Sequence, residues 1–428
     1  MEKTMHFFDV YTEILEDELK LAMGCTEPIA IAYAASILCD ALGDVPRRVE
    51  IALSGNIIKN VKSVIVPATE GMHGIEAAVA AGLVAKAPER ELEVLTALGK
   101  EDACRIDAVV KSTEMHIHEI ETEKPFEVKL SGFAGERTAF VHLADRHTNV
   151  VSVLRGQEDL TKAYRKDDRL EEKESARKDV LNVADIIEYA DTVPLEKVRS
   201  LILRQVESNM AIAQEGLRGD WGASIGKMLY NEGDCSVETV ARAMAAAGSD
   251  ARMSGCEMPV CILSGSGNQG ICASVPVVVF AREKQKSEEE MIRALLVADL
   301  ITIHQKTGIG CLSAYCGAVS AGCGCAAGLC YLHGGRLNEV SHTLVNAVAI
   351  LSGMICDGAK PSCAAKIAMA VEAGLMGLHM TESGKEFLGG DGIVTKGVEN
   401  TIQNVGRLAR QGMRETDKEI IRIMLGQQ

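Results

Sequence analysis

Seven of the chain's 14 cysteines lie in one stretch, between Cys311 and Cys363. Three of them have distinctive surroundings. Cys316 lies in Ser-Ala-Tyr-Cys-Gly-Ala, and Cys356 and Cys363 bracket the loop Cys-Asp-Gly-Ala-Lys-Pro-Ser-Cys. The glycine and proline of this loop predict a sharp turn, which can bring two thiols to one point. The fold must accommodate that convergence, and the three thiols are candidates for a metal centre.

The chemistry of thiols narrows the choice of metal. Thiolates are soft ligands that select iron–sulfur clusters or zinc when cysteines stay reduced. The sequence lacks both the Cys-x2-Cys pairs typical of structural zinc and the Cys-x2-Cys-x2-Cys run of ferredoxins. Three scattered cysteines suit a [4Fe–4S] cluster with one iron left without a protein ligand, which can act as a Lewis acid. Spacing alone leaves open that they are small buried apolar residues.

A second candidate thiol lies near the N-terminus, in Met-Gly-Cys-Thr-Glu-Pro around Cys25. Apolar spacing predicts one helix over residues 7–20 and another over residues 29–41, and Pro28 suits the first turn of the second. Cys25 is therefore predicted at a helix N-terminus, where the dipole and free N–H groups lower a thiol pKa. The alternative is a buried cysteine beside a helix cap.

A glycine-rich loop, Ser-Gly-Ser-Gly-Asn-Gln-Gly, spans residues 264–270. Such loops can turn several backbone N–H groups toward an anion. No Lys-Ser/Thr follows, so it is not a P-loop, and its Gly-x-Gly-x-x-Gly pattern lacks the βαβ context of a dinucleotide site. We interpret it as a loop that binds the carboxylate of an amino acid.

Five motifs together resemble the L-cysteine desulfidase family, which is related to the iron–sulfur L-serine dehydratases. They are the segment around Cys25, Gly-Met-His-Gly around His73, the glycine-rich loop around Asn268, Ala-Tyr-Cys-Gly-Ala around Cys316, and the loop 356–363. The matching motifs span nearly the whole chain. The resemblance implies that Cys316, Cys356 and Cys363 hold a [4Fe–4S] cluster.

The resemblance also implies roles for the other motifs. Cys25 or His73 would be the base that removes the α-proton of a small amino acid, since each can have a pKa near neutrality. The residue at position 72 departs from the Gly-His-Gly loop of the related family. Substrate-binding residues are predicted in the two loops: Thr26, Glu27, Gly267, Asn268 and Gln269.

The length of 428 residues predicts two domains or one large lobed domain. Alternating strands at 49–53, 114–121, 126–131, 138–143 and 150–154, with helices between them, predict a small α/β unit. The fold class is α+β: a mainly helical cluster-binding domain, residues 1–47 and 180–428, with a smaller α/β domain, residues 48–155, inserted after the N-terminal helices. Residues 156–179 are predicted to be a charged linker or helix.

Composition limits the partners. The formal charge of −15 argues against nucleic acid and anionic membranes. Hydrophobic residues make up 47% of the chain but aromatic residues only 4%, so glycine and alanine must fill a core of closely packed helices. An acidic amphipathic N-terminus and 14 cysteines predict a cytoplasmic protein with reduced thiols. The family resemblance implies a homodimer.

The predicted reaction is β-elimination of L-cysteine to sulfide, ammonia and pyruvate, with an iron–sulfur cluster and without pyridoxal phosphate. L-Serine dehydratase with the same chemistry is the first alternative, because the two substrates differ only by sulfur for oxygen. A non-catalytic iron–sulfur or zinc protein that senses redox state or metal is the second. A cofactor-free helical scaffold is the third.

Overall fold

The computed structural model describes residues 2–165, 177–232 and 234–426, and it confirms a mainly helical α+β fold. A 3-10 segment, Pro88–Ala97, and a π-helical segment, Leu408–Gly412, accompany the α-helices. The α-helices are α1 (Glu2–Glu18), α2 (Thr26–Leu42), α3 (Gly55–Val61), α4 (Ile75–Ala85), α5 (Asp102–Ser112), α6 (Thr161–Tyr164), α7 (Val183–Thr192), α8 (Leu195–Arg218), α9 (Ile225–Glu232), α10 (Val237–Met253), α11 (Gly267–Glu283), α12 (Glu288–Ile309), α13 (Gly317–Leu332), α14 (Leu337–Leu351), α15 (Cys363–Glu382), α16 (Val398–Arg407) and α17 (Arg414–Leu425).

The strands form two sheets. They are β1 (Leu21–Met23), β2 (Arg48–Leu53), β3 (Glu114–Glu119), β4 (Glu127–Ala134), β5 (Arg137–Ala144), β6 (Val150–Arg155), β7 (Glu158–Asp159) and β8 (Pro259–Cys261). Six of them form one sheet in the order β3-β2-β4-β5-β6-β7, in which only β2 and β3 run parallel. The short β1 and β8, which alternation did not predict, pair with each other. Their pairing joins the segment before Cys25 to the segment before the glycine-rich loop.

Helix α2 lies at the centre of the fold, and all its residues except Asp40 are buried. It packs on β4 and β5 of the large sheet and on α4. A Cβ atom at Gly82 of α4 would lie 2.0 Å from the carbonyl oxygen of Ala32, so only glycine allows this close approach. Small residues therefore bring the helices together, as the scarcity of aromatic residues predicted.

The cysteine-rich helix α13 is enclosed by α12, α11, α14 and α15. Its glycines set the spacing, because a Cβ at Gly322 would lie 2.4 Å from the Ala370 carbonyl oxygen of α15. Cys323, Cys325 and Cys330 are all buried within α13, whereas Cys311, before the helix, is exposed.

Two local features position the site. Helix α11 continues through Pro276 to Glu283. Helix α14 stops at Leu351, and Cys356 lies beyond its end, after a short bridge between Tyr315 and Ile355. The bridge, rather than a helix end, holds Cys356 beside Cys316.

The sheet covers residues 48–159, close to the predicted α/β unit, and its buried side chains continue into the same hydrophobic core as the helices. The proposed division into domains stays a prediction. Residues 166–176 of the predicted charged linker lie outside the described residues. In the described part of the chain, one helix, Cys363–Glu382, is long and apolar enough to cross a bilayer; 56% of its apolar window is buried, and a core helix passes the same test.

Candidate active site

Four helices begin around one small cavity of about 110 Å³. The N-caps of α2, α11 and α13 are Cys25, Ser266 and Cys316, and Cys363 is the first residue of α15. Helix N-termini carry free N–H groups and the positive end of the helix dipole, so they favour negative charge. The cavity therefore favours thiolates and the anionic groups of a ligand.

One side of the cavity, which we call the cysteine wall, consists of Cys316, Cys356 and Cys363. Two backbone hydrogen bonds hold the first two cysteines side by side. The Cys316 amide donates to the Met354 carbonyl at 3.1 Å, and the Cys356 amide donates to the Ala314 carbonyl at 2.7 Å. The predicted turn brings Cys363 back, and its thiol donates to the Gly358 carbonyl at 3.7 Å.

The turn between Cys356 and Cys363 depends on Gly358. Its φ is +95°, and a Cβ there would lie 2.3 Å from the backbone oxygen of Lys59. Lys59 in turn donates to the Cys356 carbonyl at 3.5 Å and pairs with Asp417 of α17 at 2.5 Å. The cysteine loop is thus clamped between α3 and the C-terminal helix.

The thiols of the cysteine wall differ in charge. A hydrogen bond from Cys316 lowers the pKa of Cys356 to about 6, with further help from the positive charges of Lys59 and Lys366. The same interaction, together with burial, raises the pKa of Cys316 well above its usual value. At neutral pH Cys356 is therefore a thiolate that accepts a hydrogen bond from the Cys316 thiol. Lys306 also lines the cavity; burial lowers its pKa, and the negative charge of nearby thiolates opposes that shift.

This donor set fits an iron–sulfur cluster. Three thiols converge on one cavity with cationic surroundings, and cysteine thiolates are the usual ligands of such clusters. Within the described ranges, no three His, Cys, Asp or Glu side chains are close enough to bind a single metal ion. A cluster of several atoms takes its ligands around a wider volume, as the cysteine wall offers.

A second group of lining residues, which we call the polar wall, consists of Cys25, Glu27, Asn60, His147, Arg252, Asn268 and Gln269. The Cys25 thiol donates to Glu27 Oε2 at 3.1 Å, and the Asn60 amide donates to Glu27 Oε1 at 3.0 Å. Burial opposes the charge of Glu27, but His147, the Cys25 hydrogen bond and Arg252 outweigh it and hold the pKa of Glu27 below its usual value. The Thr26 hydroxyl also lies 3.1 Å from Glu27 Oε2, so Glu27 is an anion surrounded by donors.

The predicted low pKa of Cys25 was wrong. Cys25 does lie at the helix N-terminus, but burial and the adjacent Glu27 carboxylate raise its pKa well above the usual value. The helix dipole cannot offset a full negative charge at hydrogen-bonding distance. Cys25 is a neutral thiol in this arrangement, and it acts as a hydrogen-bond donor.

His73 and His147 occupy very different places. His73 is exposed, does not line the cavity, and has its Nδ1 2.9 Å from the Gly71 oxygen of its own loop. His147, which the sequence did not single out, lines the cavity from the loop between β5 and β6, and its Nε2 is buried without a partner. Burial lowers the pKa of His147, so the ring is neutral at pH 7.

The glycine-rich loop places its amides in the cavity as predicted, although the carbonyl oxygens of Asn268 and Gln269 are buried without hydrogen-bond donors. Gly267 does not line the cavity; a Cβ there would lie 2.3 Å from Arg252 Nε, so glycine leaves room for the guanidinium. Thr26 is also outside the lining, and its hydroxyl donates to the Gly265 carbonyl at 2.9 Å. Thr26 therefore ties the two predicted loops together.

Arg252 is the second functional candidate that sequence reasoning missed. It is only 2% exposed, at the end of a helix whose other buried residues are mostly alanine and glycine. Its position continues the helical spacing of the buried Ala245 and Ser249, and an arginine on a buried face was a usable signal. His147 had no such signal, because only the folded sheet brings its loop to the cavity.

Comparisons with known proteins identify the family of the chain. Residues 89–422 match the family described as serine dehydratase alpha chain. A UPF0597 protein of Desulfitobacterium hafniense (strain Y51) is 49% identical over 427 residues, 100% of this chain and 99% of the relative. A UPF0597 protein of Treponema denticola is 44% identical over 99% of both chains.

The matched family is one of serine dehydratase-like lyases, a class associated with iron–sulfur cofactors. The chain belongs to the serine dehydratase alpha chain family, and its full-length relatives carry the UPF0597 designation. The family match includes the cysteine wall, His147, Arg252 and the glycine-rich loop, but it begins after Cys25 and His73.

Proposed function

We propose that this protein is an iron–sulfur-dependent L-cysteine desulfidase. The reaction removes the α-proton and the β-thiolate of L-cysteine, which gives sulfide and 2-aminoacrylate. The aminoacrylate becomes an imine, and water hydrolyses it to pyruvate and ammonia. The observation that carries the proposal is that the cysteine wall and the polar wall face one small cavity.

The cysteine wall supports the cofactor part of the proposal. Cys316, Cys356 and Cys363 would hold a [4Fe–4S] cluster, which supplies a Lewis-acidic iron for the leaving sulfur when it is bound. Lys59, Lys306 and Lys366 lie near these thiols and would offset negative charge there. The residue types and their convergence support this assignment, since soft thiolates select iron–sulfur centres.

His147 is the group best placed to accept the α-proton. The residue lines the cavity, its Nε2 is buried without a hydrogen-bond partner, and its lowered pKa keeps the ring neutral. A base needs an available lone pair within reach of the proton that it removes. His73 is exposed and lies outside the cavity. We therefore assign the role of base, which the sequence analysis predicted for Cys25 or His73, to His147.

Cys25 and Glu27 form the second part of the proton chemistry. The raised pKa of Cys25 keeps a proton on the sulfur, and Glu27 Oε2 holds that proton at a 3.1 Å contact. We assign Cys25 as the acid that returns a proton to the departing sulfide or to the enamine carbon. The role of base predicted for Cys25 passes to His147, because a buried thiol beside a carboxylate ionises poorly.

The side-chain amides of the glycine-rich loop suit the ammonium end of an amino acid, rather than the carboxylate that the sequence analysis assigned to this loop. Asn268 and Gln269 present carbonyl oxygens without donors, and Asn60 Oδ1 is likewise buried and unpaired. A buried acceptor without a donor is costly, and a ligand N–H group would remove that cost. The cavity of about 110 Å³ favours a small amino acid over a larger one.

L-Cysteine is preferred over L-serine on chemical grounds. Thiolate is a better leaving group than hydroxide, and its soft sulfur has affinity for iron. The Gly-Cys-Thr-Glu-Pro segment around Cys25 also resembles the desulfidases rather than the dehydratases. L-Serine dehydratase stays the second candidate, because the family match carries that description.

Product analysis separates the two candidates. The protein is reconstituted anaerobically with iron and sulfide, freed of excess sulfide, and given L-cysteine or L-serine in separate reactions. We expect sulfide and pyruvate in equal amounts from L-cysteine. Pyruvate from L-serine alone would transfer the proposal to the dehydratase.

A control removes products that form without the active site. Pyridoxal phosphate and free iron both promote slow breakdown of cysteine, so the reaction is repeated with Cys316→Ala protein that has passed through the same reconstitution. Equal sulfide release from both proteins would show that the product does not come from this site.

A further inference from the structure

The guanidinium of Arg252 is buried with its binding edge unused. Its Nε and Nη2 atoms are inaccessible to solvent and have no hydrogen-bond partner. Among the residues that the structure describes, no acidic side chain forms an ion pair with it. Glu27 interacts with this charge through space but makes no hydrogen bond to it. Buried guanidinium N–H groups without an acceptor are strongly unfavourable, so this arrangement indicates a missing anionic ligand.

The local structure keeps space for this guanidinium. Gly267 packs against it, because a Cβ at that position would lie 2.3 Å from Nε and 2.8 Å from Cζ. The next residue, Met253, packs in a small apolar cluster with Cys25 and Cys363. Arg252 is therefore fixed at the cavity lining, between the helix N-terminus of α2 and the cysteine wall.

We propose that Arg252 binds the α-carboxylate of the substrate through Nε and Nη2. These two N–H groups lie on one edge of the guanidinium and match the two oxygens of a carboxylate. The substrate carboxylate would neutralise the buried positive charge of Arg252. The positive ends of the neighbouring helices would further stabilise the carboxylate. This inference deepens the proposed function, on which it rests for the identity of the substrate.

The rest of the polar wall includes acceptors and an anion, which complement the donor groups of Arg252. The unpaired oxygens of Asn60, Asn268 and Gln269 accept hydrogen bonds, and Glu27 is an anion, so these groups suit an ammonium. One donor edge and a set of acceptors in one cavity specify an α-amino acid rather than an amine or an acid alone. Arg252 is thus a specificity-determining residue that discriminates by the carboxylate.

A purely structural role for Arg252 makes a different prediction. Arg252 also interacts through space with Glu27, whose pKa it helps to lower. If that were its whole role, its loss would affect ligands with and without a carboxylate equally. Binding of L-alanine and of L-alaninamide distinguishes the two roles, because they differ only in the carboxylate and neither carries a leaving group on the β-carbon.

The experiment measures the affinity of both ligands for the full-length protein by calorimetry. We expect wild type to prefer L-alanine. Arg252→Gln should weaken L-alanine by about 100-fold, the usual range for a lost buried charge pair, and change L-alaninamide by less than about threefold. Arg252→Lys should fall between them, because it keeps the charge but loses the two-pronged geometry.

Two further variants guard against a folding defect. Arg242→Gln changes an arginine on the same helix that pairs with Glu372 away from the cavity, and it should leave both affinities unchanged. Gly267→Ala displaces the Arg252 side chain without removing its charge, and it should weaken L-alanine selectively. Equal weakening of both ligands, or equal binding of both by wild type, would overturn the proposal.

Failure of this inference can be told apart from failure of the proposed function. Release of sulfide with unchanged kcat/KM in Arg252→Gln would reject the carboxylate site and leave the desulfidase intact. A different result would reject the desulfidase but keep the carboxylate site. In that case the wild type does not turn over L-cysteine, yet it prefers L-alanine to L-alaninamide, and Arg252→Gln loses that preference.

Discussion

The cysteine wall and the polar wall face the same cavity, but they are built in different ways. The cysteine wall comes from residues 316–363, where two strand-like segments and one tight turn bring three thiols together. The polar wall draws on residues 25–27, 147, 252 and 268–269, which are far apart in sequence. One wall is a local structure, whereas the other requires the complete fold.

The two walls also differ in how their charges are balanced. The thiolate of Cys356 is supported by a thiol hydrogen bond and by lysines. The polar wall holds Glu27 with its donors but leaves His147, Arg252 and three amide oxygens with unsatisfied atoms. This difference supports our proposal that the first wall binds a cofactor and the second binds a substrate.

The largest expected effect tests the cysteine wall. Cys316→Ala removes one of the three thiols, so we expect the reconstituted protein to lose most of its iron and its lyase activity. Cys323→Ala is the matched control, because Cys323 is buried in α13 outside the cavity. Iron content and sulfide release measure the outcome, and full iron retention in Cys316→Ala would remove that residue from the cysteine wall.

The next effect tests the polar wall. His147→Ala should lower kcat by about 100- to 10,000-fold, the usual contribution of a general base. His73→Ala should stay within about twofold, because an exposed side chain outside the site has no route to the reaction. Steady-state rates with L-cysteine check both variants, and the reverse ranking would restore His73 as the base.

The pH profile sharpens the same assignment. Burial lowers the pKa of His147 below the ordinary value of 6.5, and the base must be neutral to accept a proton. The rate should therefore hold at neutral pH and fall only when pH drops through that lowered pKa. A limb of kcat/KM above pH 7 that His147→Ala removes would contradict the assignment.

A third effect concerns the stability of the clamp on the cysteine wall. Lys59 is 1% exposed and pairs with Asp417 at 2.5 Å, so Asp417→Asn leaves a buried charge without its partner. We expect a loss of about 3 kcal/mol in the free energy of unfolding. Denaturant titration measures it, with Glu419→Gln of the exposed Arg422 pair as the control. A change below about 0.5 kcal/mol would show that α17 does not support this loop.

The smallest effect compares one thiol from each wall. Cys356 has a pKa of about 6, whereas the pKa of Cys25 is raised well above the usual value. Iodoacetamide at pH 7 should therefore modify Cys356 in the metal-free protein about tenfold faster than Cys25. Mass spectrometry of timed digests reads the order, and faster modification of Cys25 would reverse the charges given to the two walls.

The sequence predicted the fold and the cysteine wall better than the polar wall. Apolar periodicity located α2 and the strands of the large sheet, and the loop composition anticipated the return of Cys363 to Cys356. The position of His147 at the cavity was not predicted, because the sequence of a hairpin loop does not show which part of the protein the loop contacts. The charge state of Cys25 was predicted wrongly, because it depends on the contact with the Glu27 carboxylate, which residue spacing does not specify.

The most direct test of the central claim follows the cluster and the substrate together. Wild-type protein is reconstituted anaerobically, and its visible absorption is recorded while L-cysteine is added and sulfide is measured. If the two walls form one active site, the spectrum should change as L-cysteine binds and sulfide should appear, with both lost in Cys316→Ala. An unchanged spectrum and no sulfide would contradict the account and identify a non-catalytic iron–sulfur protein.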